Sequence, residues 1–123
     1  MLNLNSLLVG SDNPKKLIEF YKKVLGSKPD WEDGEWAGFD CVNCHIMIGP
    51  HSELKGSAKE PQRIIINFEV SDVAVEFERV KKLGAKVIAV PYHPMEENSM
   101  TLATFADPDG NYFQLTSPMK KSN

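Results

Sequence analysis

SDNPKKLIEFYKKVLGSK (residues 11–28) and SDVAVEFERVKKLGAK (residues 71–86) are two versions of one phrase. Each opens on Ser-Asp, runs through apolar positions at helical spacing, and closes on Leu-Gly with a Lys two residues later. In the first, Asp12 or Asn13 can cap a helix whose first position is Pro14, where a missing N–H costs nothing. Leu17, Phe20, Tyr21, Val24 and Leu25 then fall on one face, and Gly26 is a fitting stop. Lys22 and Lys23 sit near the negative end of that helix. In the second, Ser71-Asp72 caps a helix carrying Val73, Phe77, Val80 and Leu83, and Gly84 ends it. The second helix is two residues shorter, so the repeat has diverged.

Outward from each helix the signals are those of strands. Leu2 to Val9 alternates weakly and stops at Gly10. After the first helix, Asp33-Gly34 is a hairpin signal, because primed turns need residues that tolerate positive φ. Trp36–Cys41 and Cys44–Gly49 read as strands joined by a tight turn at Val42-Asn43. Around the second helix, Arg63–Val70 is an apolar strand, Ala85–Val90 is a strand closed by Pro91, and Met100–Ala106 and Asn111–Ser117 complete the set. Asp107-Pro108-Asp109-Gly110 is a turn in which Pro presets φ and Gly supplies the left-handed residue. The chain therefore contains strand-helix-strand-strand-strand twice. Repeat one covers about residues 1–50, a linker about 51–62, and repeat two about 63–118. The expectation is a single α+β domain. Its tandem βαβββ repeats pair their sheets into a half-open mixed-sheet barrel, with helices outside and a cleft inside.

Bulk composition narrows the function classes. At 123 residues, 41% hydrophobic and 25% charged, the chain resembles a soluble globular domain that needs no staple. A net charge of −3 argues against nucleic acid, whose affinity comes from clustered Lys and Arg. The basic pairs Lys15-Lys16, Lys22-Lys23, Lys81-Lys82 and Lys120-Lys121 are scattered and read as solvated helix faces. No apolar run reaches the roughly 20 residues of a membrane helix. Met1–Val9 lacks the basic start and cleavage site of a leader. A cytoplasmic location is expected, where Cys41 and Cys44 would stay reduced.

Over essentially its whole length the sequence resembles the vicinal oxygen chelate superfamily (glyoxalase, bleomycin resistance, dioxygenase). In the first half the resemblance is carried by Leu17-Ile18-Glu19-Phe20-Tyr21 and Val24-Leu25-Gly26. In the second it is carried by Phe68-Glu69-Val70, Leu83-Gly84-Ala85 and Phe105-Ala106-Asp107-Pro108-Asp109-Gly110-Asn111, the most specific stretch. The fold follows from that resemblance; the function does not, since the superfamily hosts lyases, isomerases, dioxygenases, thiol transferases and metal-free binding proteins. Homodimers with clefts at or near the interface are also implied.

In the metalloenzymes of the superfamily, inner-strand side chains hold a divalent ion that polarises substrate oxygens. By resemblance those positions fall on Ser6, Met47, Ile65 and Gln114. None supplies a carboxylate or an imidazole, and a hard divalent cation wants charged oxygen or imidazole nitrogen. Their neighbours Asn5, Ile46, Ile64, Ile66, Phe113 and Leu115 are also poor ligands. The expectation is thus no metal, no cofactor, and a cleft that binds a small organic molecule. Strand parity puts His45 with Met47, Asn67 and Glu69 with Ile65, and Tyr112 and Thr116 with Gln114. The expected ligand-binding set is Ser6, His45, Met47, Ile65, Asn67, Tyr112 and Gln114, apolar with a few hydrogen-bonding points. The plainer reading is that these groups satisfy one another or water.

Other patterns compete with this reading. Cys41-Val42-Asn43-Cys44-His45 matches a haem-attachment pattern in letters, or half a zinc knuckle, but its place at a hairpin tip favours two reduced thiols flanking a turn. His45 and Glu69 are types suited to acid–base work, although nothing in the sequence brings them together. Trp31, Trp36, Tyr92 and His93 would suit a flat ligand, or core and dimer contacts, with packing preferred for Trp36. The alternative function is a metal-dependent lyase, isomerase or dioxygenase with atypical ligands.

Overall fold

The computed structural model describes residues 1–94 and 100–118. The Lys120-Lys121 pair and residues 95–98 of the loop after Pro91 lie outside that range. The chain parts into two compact units, Met1–Gly56 and Ser57–Asn123, which divides the linker. In the first unit Gly56 N–H donates to Asp12 Oδ2 at 3.1 Å. In the second, Ala58 N–H donates to the carbonyl of Asp109 at 2.8 Å.

The first unit runs β1 (Ser6–Gly10), α1 (Pro14–Leu25), β2 (Trp31–Asp33), β3 (Trp36–Asp40) and β4 (His45–Gly49). The second runs β5 (Ile66–Glu69), α2 (Val73–Lys82), β6 (Lys86–Tyr92), β7 (Leu102–Ala106) and β8 (Tyr112–Thr116). Their sheets have matching order, β1-β4-β3-β2 and β5-β8-β7-β6. In each, the unit's first strand lies parallel to its last, and the remaining pairs are antiparallel. This is the tandem βαβββ arrangement read from the repeat, in two mixed sheets, neither of which closes into a barrel.

The helix ends follow the capping residues. Asn13 Oδ1 accepts the Lys16 N–H at 3.4 Å, with Pro14 at the helix start and Gly26 left-handed at φ 69°. Asp72 Oδ1 accepts the Val75 N–H at 3.1 Å, and Gly84 follows α2 at φ 93°. Each cap satisfies a backbone donor that helix geometry leaves without a partner. Leu17, Tyr21 and Val24 of α1 are buried, as are Ala37, Phe39, Ile46 and Ile48 of the first sheet. In the second unit Val80, Ala103 and Leu115 are buried around three aromatic rings. Phe77 stacks on Phe105 with centroids 5.2 Å apart, and Phe105 on Phe113 at 5.6 Å. Leu83, expected on the apolar face, is 39% exposed because it caps the helix instead of belonging to its last turn.

Strand ends differ from the sequence reading where a partner decides them. β1 starts at Ser6, not Leu2, because β4 offers partners only from His45, whose N–H reaches the carbonyl of Asn5. Leu2 and Leu4 are left exposed. β5 starts at Ile66, since β8 begins only after the turn at 107–110. β6 continues through Pro91 to Tyr92. It is an edge strand with register shifts, where a missing N–H breaks no ladder. The turn itself is tied by Asp107, 5% exposed. Its Oδ1 accepts from the backbone N–H of Asp109 at 2.9 Å and of Asn111 at 3.0 Å. Asn111 Nδ2 donates to Oδ2 at 3.0 Å. Among the described residues no helix is long and apolar enough to cross a membrane.

Candidate functional site: the two open sheet faces

Strand alternation gives each sheet one face committed to the core and one open face. On the first sheet the core face holds Ile46, Ile48, Ala37 and Phe39. The open face holds Ser6, Leu8 and Gly10 of β1, His45, Met47 and Gly49 of β4, Trp36 and Gly38 of β3, and Trp31 of β2. Register aligns Ser6 with His45 and Asp40, Leu8 with Met47 and Gly38, and Gly10 with Gly49. Trp31 lies opposite Gly38.

Three glycines clear this face, and two tryptophans cover what they clear. A Cβ on Gly38 would stand 2.2 Å from Trp31 Nε1, and one on Gly49 2.1 Å from Trp36 Cε3. Those separations are far below contact distance, so each indole rests against a glycine backbone. A Cβ on Gly10 would meet Leu54 Cδ2 at 3.3 Å. Trp31 and Trp36 remain 42% and 36% exposed, so packing accounts for only part of each ring. Beside Trp36 is a pocket of about 310 Å³ lined by Leu8, Gly10, Trp36, Pro50, His51, Glu53 and Leu54. His51 Nδ1 accepts the Glu53 N–H at 3.2 Å.

The second sheet's open face is built differently. Asn67, Gln114 and Thr104 form one row across β5, β8 and β7, and Gln114 Nε2 donates to Thr104 Oγ1 at 3.0 Å. Glu69, Thr116 and Leu102 form the next. Thr116 Oγ1 donates to the carbonyl of Phe68 at 3.5 Å. Gln114 and Thr104 thus satisfy each other, and Thr116 turns to backbone.

The seven sequence-nominated residues thus divide. Ser6, His45 and Met47 are neighbours on the first sheet, with Ser6 Oγ donating to Asn5 Oδ1 at 3.0 Å. Asn67, Tyr112 and Gln114 share the second sheet's open face, and Ile65 immediately precedes β5. Sequence reading missed the pocket's own residues Leu8, Gly10, Pro50, Glu53 and Leu54. The cysteines are free and flank a tight turn in which Cys41 N–H donates to the carbonyl of Cys44 at 2.9 Å. Burial, then the nearby Cys44, Asp40 and Asp30, push the Cys41 thiol above its ordinary value. Such a thiol stays protonated and unreactive near neutrality.

The family model for a glyoxalase-like domain matches residues 6–116. The chain belongs to the glyoxalase-like family. It is 30% identical over 114 residues to the uncharacterized protein YraH of Bacillus subtilis (strain 168), covering 82% of this chain and 87% of that protein. A glyoxalase-related enzyme from Fulvimarina pelagi superposes with a TM-score of 0.77 at 14% identity, over 96% of this chain and 89% of that one. The fosfomycin resistance protein FosX from Listeria monocytogenes gives 0.69 at 20% identity, over 97% and 93%. These likenesses establish the fold of the vicinal oxygen chelate superfamily. The residues that the resemblance assigns to its metal positions are poor ligands for a hard divalent ion. Ser6, Met47, Ile65 and Gln114 bring two neutral oxygens, a thioether and a hydrocarbon. Among the described residues no three His, Cys, Asp or Glu side chains are grouped to hold an ion.

Proposed function

We propose that this glyoxalase-like chain is a metal-independent binding protein for a small organic molecule. The donor set carries the proposal: a site that chelates neighbouring substrate oxygens needs imidazole or carboxylate ligands, and Ser6, Met47, Ile65 and Gln114 are neither. Ser6, His45 and Met47 on the first unit, and Ile65, Asn67, Tyr112 and Gln114 on the second, are the residues we assign to ligand contact. They combine apolar surface with a few directional hydrogen-bonding groups, the usual make-up of a small-molecule site. We further propose a homodimer, on the strength of the family likeness, and a cytoplasmic location, which suits the free Cys41 and Cys44.

Calorimetric titration of chelator-stripped protein with Ni²⁺, Mn²⁺, Fe²⁺ and Zn²⁺ tests the reading. The expected result is no tight one-to-one binding. Tight binding of any of the four would overturn the proposal and make this a metal-dependent lyase, isomerase or dioxygenase. Gln114→Glu combined with Ile65→His should begin to restore metal affinity. A folded double variant that binds no metal would remove those two positions from the assignment.

A further inference from the structure

We infer that the open face of the first sheet is a stacking site for a planar aromatic cation, with Trp36 as the ring it lies on and Glu53 as its counter-charge. The inference rests on the small-molecule reading above and specifies the ligand's chemistry.

The shape argument comes from Gly49. Because the Trp36 indole occupies the space a Cβ would take there, one ring face is held against backbone while the residue stays 36% exposed. A held ring with a free face is a preorganised stacking surface, since little freedom is lost when a second ring settles on it. The adjoining pocket of about 310 Å³ is at the small end of the range for drug-sized ligands. Leu8, Leu54 and Pro50 give it apolar walls.

Charge narrows the class. Between Lys28 and Lys55 the chain carries no Lys or Arg, but it carries Asp30, Glu32, Asp33, Glu35, Asp40 and Glu53. Lys22 reaches in from α1 and is taken up by Glu19 at 3.0 Å and Glu32 at 3.4 Å. Among the pocket's lining residues Glu53 is the one carboxylate, and none is Lys or Arg. Tryptophan is the best cation–π partner among side chains, and the electron-rich ring and the carboxylate favour the same sign.

The test uses the whole chain and its two tryptophans as reporters. N-methylquinolinium and 1-methylnaphthalene have the same shape and differ in charge; each is titrated against tryptophan fluorescence. Expected is saturable one-to-one quenching, with the cation bound about tenfold more tightly than the hydrocarbon. Trp36→Leu, read by calorimetry because the reporting ring is gone, should weaken the cation by about tenfold. Glu53→Gln, at an exposed position that leaves the fold alone, should weaken it about threefold and leave the hydrocarbon unchanged. Trp31→Phe should retain the quenching. Equal affinity for the two probes would overturn the cation class while leaving a small-molecule pocket in place. Failure of both probes to quench Trp36 would overturn the stacking site, whereas the metal titration decides the metal-free reading separately. Self-association lost in Trp36→Leu, with neither probe bound, would assign the face to a second copy and overturn the proposal.

Discussion

The two sheets share strand order and pairing sense, yet their open faces have nothing in common. The first presents Leu8, Met47 and two tryptophans laid over glycines; the second presents Asn67, Gln114, Thr104 and Thr116, with Gln114 bonded to Thr104 and Thr116 to backbone. Their core faces, by contrast, are interchangeable in kind: aromatic and branched aliphatic side chains beneath one helix. The module is specified by its core face, helix caps and turns. The open face is then free to diverge. Core-facing and open-face positions alternate along the same strands, so one can change without the other.

If that is right, the largest effects fall equally on both core faces. Phe105→Ala removes the middle of the Phe77–Phe105–Phe113 stack, and Phe39→Ala empties the corresponding core of the first unit. Both residues are essentially inaccessible. Each substitution should cost about 3–5 kcal/mol in urea unfolding. Leu8→Ala, on the open face at 57% exposure, should change stability by less than about 0.5 kcal/mol. A core-sized loss at Leu8 would show that the open face also holds the fold.

The sheets' floors come next. Gly49→Ala puts a methyl where the Trp36 ring lies, so the indole must swing outward. We expect a loss of about 2 kcal/mol and a red-shifted Trp36 emission, measured in a Trp31→Phe background. Thr104→Val on the second sheet keeps the volume but removes the acceptor of Gln114 Nε2. That should cost about 1 kcal/mol, read from thermal unfolding, with no spectral change.

Most of the frame was legible because its determinants are local. Asn13 and Asp72 cap where the sequence said, and Asp107 ties the turn that the Asp-Pro-Asp-Gly run announced. The ends of β1, β5 and β6 were not legible, because a strand extends only as far as its neighbour supplies partners. The glycine floor was half legible. A two-residue loop at Val42-Asn43 sets Gly38 opposite Met47 and carries Trp36 towards Gly49. Reading Gly10 and Gly49 merely as strand ends hid this. Glycine on the same strand face as tryptophan was the available signal. The pocket's remaining walls, His51 to Leu54, come from a linker without periodicity, and sequence offers no rule for where such a segment lies.

The corresponding hairpin tips of the two sheets differ in the residue type at the left-handed position. Between β7 and β8 the left-handed position is Gly110, at φ 83°; between β3 and β4 it is Val42, at φ 74°. Asn43 N–H donates to the carbonyl of Cys41 at 3.0 Å around it, which closes a three-residue turn of the strained hand. A β-branched residue there costs about 1–2 kcal/mol that glycine would not. Glycine loosens the unfolded chain, however, and gives back about 0.5–1 kcal/mol. Val42→Gly should therefore stabilise the chain by about 0.5 kcal/mol, seen as a higher urea midpoint with unchanged slope. Gly110→Val, the same exchange reversed on the second sheet, should destabilise it. Were Val42→Gly neutral or harmful, the valine side chain would be contributing at the tip, and the two turns would differ in purpose as the two open faces do.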